Sequence, residues 1–429
     1  MASIIESSSH VRRGTNCFAE WRRTVATLVV AGAALLALPA ALARDSEDDW
    51  LATWGAGPQS AAEALIGPPP MTVQFDDQTI RMIARISKGG NRVRVRLDNT
   101  FGTDTLVIGS AHIAKHSSGA GIVGPTDNVL TFGGSPAITI PPGAPALSDP
   151  VDLKVPDLGE VAVSIYLPDP TAGESVHSVG RQTTYISQAG DFTGALAFPT
   201  ATTTELRFFF SGIEVQADDP ARAIVTFGDS LTDGMNSTLD ANKRWPDRLA
   251  ERLLDGRRPH RLSVVNEGIS GNRVLHDVFG PDALSRFDRD NIAQSGVAFV
   301  TLLQGTDDIG LSAIVPSQAV TADQIIQGYR QLIARAHGKD IRILGATLTA
   351  LEGAHLFTPE VEAKRQALNA FIRTSGEFDD VIDFDVVTRD PTDPTRLLPS
   401  YDSGDHVHPN DAGYKAMADS IDLKVFDER

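Results

Sequence analysis

Cysteine is almost missing: among 429 residues there is one, Cys17. A lone cysteine cannot close an intrachain disulfide. Positive charge is also in deficit, with 38 Lys and Arg against 55 Asp and Glu and a formal net charge of −17. A surface of that sign disfavours nucleic acid and anionic membranes as partners. His/Cys ligand spacings and calcium-loop patterns are missing as well, so no metal and no cofactor is expected, although Asp383 and Asp385 are ligand types. No internal repeat or long low-complexity segment stands out.

What is present begins with a targeting pattern. Arg12, Arg13, Arg22 and Arg23 precede the apolar stretch Val25–Leu42, and Ala41-Leu42-Ala43 has the small-residue spacing of a cleavage site. The stretch is about as long as the lower limit for a membrane-spanning helix, but its Ala and Gly content and the acidic residues from Asp45 onward favour cleavage. Residues 1–43 are therefore expected to be a signal peptide, and the protein secreted or periplasmic, with no stable membrane insertion after cleavage. Cys17 would leave with the signal, so residues 44–429 have no thiol nucleophile and draw their stability from core burial. They exceed the size at which single cores stop growing, roughly 250–300 residues, so two domains are expected, 44–216 and 217–429, dividing near Gln216-Ala217-Asp218-Asp219-Pro220.

The first domain has the periodicity of strands. Ile80, Met82, Ala84 and Ile86 alternate with other residues, Lys88-Gly89-Gly90-Asn91 supplies a turn, and Val93, Val95 and Leu97 alternate with Arg92, Arg94 and Arg96. This predicts a hairpin with one buried face, its arginine row exposed and discouraging edge pairing. Short candidates follow at 129–132, 137–140, 151–155, 161–167 and 183–187. Many short strands without helices between them predict an all-β sandwich or jelly roll.

After Pro220 the pattern changes. Apolar runs at 223–227, 262–265, 297–303, 341–348 and 381–384 alternate with helical stretches, which predicts a five-stranded parallel sheet with crossover helices, an α/β sandwich of flavodoxin type. Trp245, Leu249 and Leu253 share a helix face before Gly256. Thr321 and Gln324 make a capping box, and Thr358-Pro359 opens a helix that Gly376 ends.

Chemistry-bearing residues follow the strand ends, where open parallel sheets form their sites. Ser230, in Gly228-Asp229-Ser230-Leu231, follows the first run, and Asp405-His406-Val407-His408 follows the last. A serine hydroxyl is a weak nucleophile at neutral pH. It needs an imidazole to take its proton and a carboxylate to set the imidazole tautomer, and Ser230, His408 and Asp405 supply the three. Asn266–Arg273 follows the second run and Gln304–Asp308 the third, so four distant segments are expected on one rim. There is no Gly-x-Ser-x-Gly elbow. His276 and His355 are candidate pocket residues, although solvated loop histidines are commoner. Asp229 and Asp233 are expected as turn and capping groups.

On these residues the chain resembles the SGNH, or GDSL, hydrolase family, in particular exported members with an N-terminal β domain. Gly228–Gly234 is similar to its nucleophile block, Gly268–Arg273 to its second block and Asp405–Tyr414 to its C-terminal block. The resemblance spans Ala223–Asp419. Trp50–Trp54 and Asn99–Thr103 are similar to segments of the β domain in such chains. It implies an SGNH-type sandwich and a serine esterase or lipase-like hydrolase, with Ser230, His408 and Asp405 as catalytic triad and the Ser230 and Gly271 amides facing the oxyanion.

One position departs from that family. Its third block reads Gly-x-Asn-Asp, whose asparagine donates to the oxyanion, whereas here Gly305-Thr306-Asp307-Asp308 puts Asp307 there. An ionised carboxylate has no proton to donate, and losing one oxyanion donor costs about 10²–10³ in rate. Asp307 either stays protonated and donates, or turns away and leaves two backbone donors, or marks a weakened or lost enzyme. With nucleophile, base and orienting carboxylate retained, a slow or acid-favouring esterase is expected. An acyltransferase using the same serine and a non-catalytic glycan- or polymer-binding protein are the alternatives. The resemblance permits a small-molecule ester or an acylated glycan as substrate. Oligomeric state is not legible.

Overall fold

The computed structural model describes residues 50–63, 73–255, 260–312 and 315–427. The proposed signal peptide, Cys17 and Gly256 lie outside them. From Trp50 to Gln216 the described chain is mostly strand and turn. Its principal strands are β1 (Trp50–Gly55), β2 (Gln78–Arg85), β3 (Gly90–Asp98), β4 (Glu160–Leu167) and β5 (Phe210–Gln216). One antiparallel sheet joins β1 to β5 and β5 to β3, with Pro145–Leu147 and Val151–Val155 both pairing β3. The other runs Thr200–Thr204, Thr184–Ala189, β2, β4, Ser110–Lys115, Asn128–Val129. Ile80, Met82 and Val163 from the second sheet and Val93, Val95 and Ile213 from the first share one hydrophobic core, which makes the pair a β-sandwich.

The expected hairpin is replaced by a crossover: β2 and β3 belong to different sheets. A Cβ on Gly89 would lie 2.3 Å from the Val155 carbonyl oxygen, and one on Gly90 2.2 Å from that of Gln216. The turn thus packs against two further strands as it carries the chain between sheets. Alternation brings both apolar rows to the core either way, so it cannot separate a hairpin from a sheet-to-sheet connection. The other face of β2 is covered too, with Ile83 in a second cluster beside Ala114, Ile122 and Ala162. The arginine row also differs from expectation, because β3 is an inner strand. Arg94 and Arg96 pair with the buried Glu214 at 2.5 and 2.7 Å, and Arg94 lies over the Trp50 ring.

Beyond Pro220 five parallel strands follow: β6 (Arg222–Gly228), β7 (Leu262–Gly268), β8 (Val297–Leu303), β9 (Arg342–Ala346) and β10 (Asp380–Ile382), in the order β7-β6-β8-β9-β10. The helices used below are α1 (Ser230–Asp233), α2 (Trp245–Leu254), α3 (Ala283–Phe287), α4 (Thr306–Leu311), α5 (Ala322–His337), α6 (Pro359–Thr374) and α7 (Asp411–Ser420). Their ends follow local chemistry. In the α5 capping box the Gln324 amide donates to Thr321 Oγ1 at 3.2 Å, and the Thr321 amide donates to Gln324 Oε1 at 2.8 Å. Thr358 Oγ1 caps α6 ahead of Pro359, and Gly376 follows its end in the left-handed region at φ 68°. Trp245, Leu249 and Leu253 bury the inner face of α2.

The sandwich covers the exposed edge of this parallel sheet. Ser263 Oγ of β7 donates to the Ala52 carbonyl at 2.6 Å, the Val264 amide donates to Ser87 Oγ at 2.8 Å, and the Ala52 amide donates to the Ser295 carbonyl at 2.9 Å. An unpaired edge strand is thereby protected. The approach leaves no room at Gly55, where a Cβ would lie 2.2 Å from Glu267 Oε1 and 2.5 Å from Val265 Cγ1. Gly55→Ala is therefore expected to destabilise the fold by about 1–3 kcal/mol through overpacking, read as a lower midpoint in urea or thermal unfolding.

Candidate active site

Strand order decides where a site can form. In the order β7-β6-β8-β9 the connection after β6 runs to one side and that after β8 to the other, opening a crevice between them beyond the carboxyl ends. β6 ends at Gly228, and Asp229 turns the chain into α1 by accepting the Leu231 amide at 3.0 Å. The Thr232 and Asp233 amides bond the Asp229 carbonyl, so the Ser230 amide is the remaining donor of this first turn. Gly234, left-handed at φ 93°, ends the helix after four residues. Ser230 is thus the first helical residue and Asp229 its cap.

The structure brings Ser230, His408 and Asp405 together. Ser230 Oγ is 2.7 Å from His408 Nε2, and His408 Nδ1 is 2.6 Å from Asp405 Oδ2. The carboxylate can only accept, so Nδ1 carries the proton and Nε2 is left to accept from the serine. Asp405 also receives the Val407 and His408 amides at 3.0 and 2.8 Å. Burial opposes its charge, but these bonds and the neighbouring imidazole hold its carboxyl well below the usual carboxylate range.

Gly271 and Asp307 border the same pocket, a cavity of about 260 Å³ that also takes in Ser230 and His408. Gly271 is left-handed at φ 81°, and a Cβ there would strike Phe279 at 2.6 Å, so glycine alone fits. Asp307 does not turn out of the pocket. Its Oδ2 is buried with no hydrogen-bond partner among the described residues. Burial, Asp229 and Asp308 push its carboxyl well above the ordinary value, against the opposing charge of Arg273. Its neighbours are shifted the same way. Burial pushes Asp229 up to about 6, and burial pushes Asp308 up to about 7 although it accepts the Val274 and Leu275 amides. Apolar side chains make up most of the remaining wall, including Met235, Phe279, Leu351, Leu356 and Val407.

The arrangement can deprotonate a serine and present it to an electrophilic carbon in a mainly apolar pocket. The GDSL-like lipase/acylhydrolase family model matches residues 226–416, from within β6 to within α7. This part of the chain is a GDSL-like lipase/acylhydrolase domain. The protein is accordingly a serine hydrolase acting on esters. A search of curated proteins found no match. Among solved structures, an acetylxylan esterase from Geobacillus stearothermophilus aligns at 21% identity with a TM-score of 0.39, over 48% of this chain and 95% of its own. An α/β hydrolase enzyme from the metagenome of Lake Arreo, Spain, aligns at 20% identity with a TM-score of 0.38, over 48% and 95%.

Three supports of the GDSL-like domain escaped the sequence reading. Arg286 of α3, wholly buried, donates to the carbonyls of Gly228 and Glu267 at 2.9 and 2.7 Å, to Asn272 Oδ1 at 2.9 Å and to Asp290 at 3.0 Å. Asn236 Nδ2 donates to Asp405 Oδ2 at 2.8 Å and so helps orient it. His177 of the N-terminal β region meets Asp233 of α1 at 3.0 Å. The signals were slight: an arginine in a short helix, and an asparagine and a histidine in loops or strands.

The other candidates fall outside the pocket. His355 is exposed, and neither it nor His276 borders the cavity. Asp383 and Asp385 are engaged by Arg373, and Asp385 also by Arg365 and Arg389. Arg286→Leu is expected to cost about 3–5 kcal/mol of stability, because it strips a buried carboxylate of a partner and leaves two strand-end carbonyls without a donor. Denaturant unfolding measures it, and a change below about 1 kcal/mol, the worth of a surface pair, would contradict the clip.

Proposed function

We propose that this protein is an exported serine esterase that cleaves carboxylic esters through an acyl-serine intermediate, with Ser230 as nucleophile, His408 as general base and acid, and Asp405 as orienting carboxylate. The observation that carries the reading is the Asp405–His408–Ser230 hydrogen-bond chain, at 2.6 and 2.7 Å. His408 takes the serine proton as Oγ attacks the carbonyl carbon, then returns it to the leaving alcohol. Water repeats the sequence to release the acid. Export is supported by the basic, apolar and small-residue order of residues 1–43 and by the lack of cysteine after it. The division at 216/217 separates an accessory sandwich from the catalytic part. The pocket, about 260 Å³ and largely apolar, suits a short acyl group, with the alcohol portion from a small molecule or a glycan.

Charge on the tetrahedral oxygen would be met by the Ser230 and Gly271 amides and by a protonated Asp307. The orphan Oδ2 and the carboxylate neighbours support the third donor, since a neutral acid donates where an anion would repel. The sign of the pH dependence follows. A raised carboxyl is protonated below its pKa, so donation is present at lower pH and lost as pH rises through that value, giving an acid-favouring enzyme.

Ser230→Ala should abolish fluorophosphonate labelling and lower hydrolysis of a short-chain aryl ester by roughly 10⁴-fold or more; labelling that survives would favour another nucleophile. A wild-type protein that the probe never labels would point to a binding protein on a hydrolase shell. Asp307→Asn keeps a donor at every pH. Its rate should stay within a few-fold of wild type in acid and exceed it by up to about 10²–10³ once Asp307 ionises. Parallel kcat/KM profiles across the whole accessible pH range would sink the protonated-donor reading.

A further inference from the structure

We propose that His177 is a positioning residue for ester hydrolysis, through which the N-terminal β region holds the nucleophile helix against the oxyanion loop. The inference rests on the roles assigned above to Ser230 and Gly271. His177 ends the strand Ser175–His177, which pairs with Gln59–Ser60 and Arg207–Phe208 in a small sheet apart from the two sandwich sheets, and is 4% exposed. Its Nδ1 lies 3.0 Å from the Gly57 carbonyl oxygen and its Nε2 3.0 Å from Asp233 Oδ1, and since a carbonyl and a carboxylate only accept, both ring nitrogens donate and the ring is doubly protonated. Asp233 is the last residue of α1, three beyond Ser230. Its other oxygen, Oδ2, receives the Ser270 amide at 2.9 Å and Ser270 Oγ at 2.7 Å. Ser270 directly precedes Gly271.

One buried carboxylate therefore links the helix carrying the nucleophile to the loop carrying an oxyanion donor, and a side chain of the N-terminal β region holds its far side. The contact has no slack. A Cβ on Gly268 would lie 2.3 Å from the Asp233 amide nitrogen, so β7 and α1 already touch backbone to backbone. Asp233 is 1% exposed, and a carboxylate so buried must draw its donors from the protein. Without His177, Oδ1 would have to seek another donor, turning the group away from Ser270 and shifting the Gly271 amide relative to Ser230 Oγ. Misplacement of that kind acts on the transition state. Met235 and Phe279 adjoin the two linked segments, but the pocket side chains Leu351, Leu356 and Val407 belong to others, so most of the acyl pocket is spared.

In the full chain, His177→Leu is expected to lower kcat on a short-chain aryl ester by roughly 10- to 100-fold with KM within about twofold, and to slow fluorophosphonate labelling to match. His177→Gln, whose amide can still donate to Asp233, should recover most of that loss. An unchanged kcat in the leucine variant overturns the proposal, and so does a glutamine variant that is no better than leucine at equal thermal stability. If the leucine variant does not fold, Ser270→Ala weakens the opposite arm of the bridge by removing its hydroxyl donor and leaving its amide. A kcat loss at constant KM then supports the proposal, and an unchanged kcat overturns it. Wild-type protein that the probe does not label overturns the nucleophile reading and this proposal together, whereas labelled wild type with insensitive His177 variants overturns this proposal alone.

Discussion

A parallel sheet points the last carbonyls of its strands at the rim where its chemistry occurs, and those carbonyls must be received without filling the crevice. Here the Arg286 guanidinium does so from below, taking the Gly228 and Glu267 carbonyls while pairing with Asp290 and Asn272. A buried arginine is tolerable only when its fork of donors meets matched acceptors. Because β6 and β7 end level, with Gly228 opposite Gly268, the residues that follow emerge side by side. Ser230 lies two positions past one strand and Gly271 three past the other. The sandwich adds a second constraint by covering the β7 edge through Ala52, Ser87 and Ser263.

Two carboxylates at this rim are driven to opposite states by their surroundings. Asp405, its side chain 41% exposed, collects donors from His408, Val407 and Asn236 and is held as an anion. Asp307 faces the same pocket with an orphan oxygen and two further carboxylates nearby, which favours its neutral form. Separation of two acids by environment is how one site accommodates both an anion and a donor. The oxyanion site proposed here would depend on burial in a way that one built on asparagine does not, because the asparagine amide donates at any pH.

Much of this architecture was legible beforehand. The five parallel strands, the Thr321–Gln324 capping box, the Thr358-Pro359 start and the segments bearing Ser230, Gly271, Asp307, Asp405 and His408 all rest on local rules: apolar runs, capping chemistry and residue type at strand ends. The hairpin expected across Lys88–Asn91 failed because pairing partners are distant in sequence. β2 joins β4 and β3 joins β5, over separations that alternation does not encode. Arg94 and Arg96 looked like solvent-facing charges for the same reason, since Glu214 lies more than a hundred residues away.

The sequence by itself determined that a serine follows the first parallel strand and that an aspartate and a histidine, Asp405 and His408, follow the last. Its resemblance to the family implies that Asp307 stands where an amide donor is expected. Only the tertiary structure decided what surrounds them: Arg286 beneath the strand ends, Asn236 beside Asp405, His177 reaching Asp233 from the N-terminal β region, and the burial that raises Asp307. The physical reason is range. Strand and helix preferences are set by neighbours a few residues apart, whereas hydrogen bonds in a core and the desolvation of a charge are set by whichever distant segments the fold packs against it.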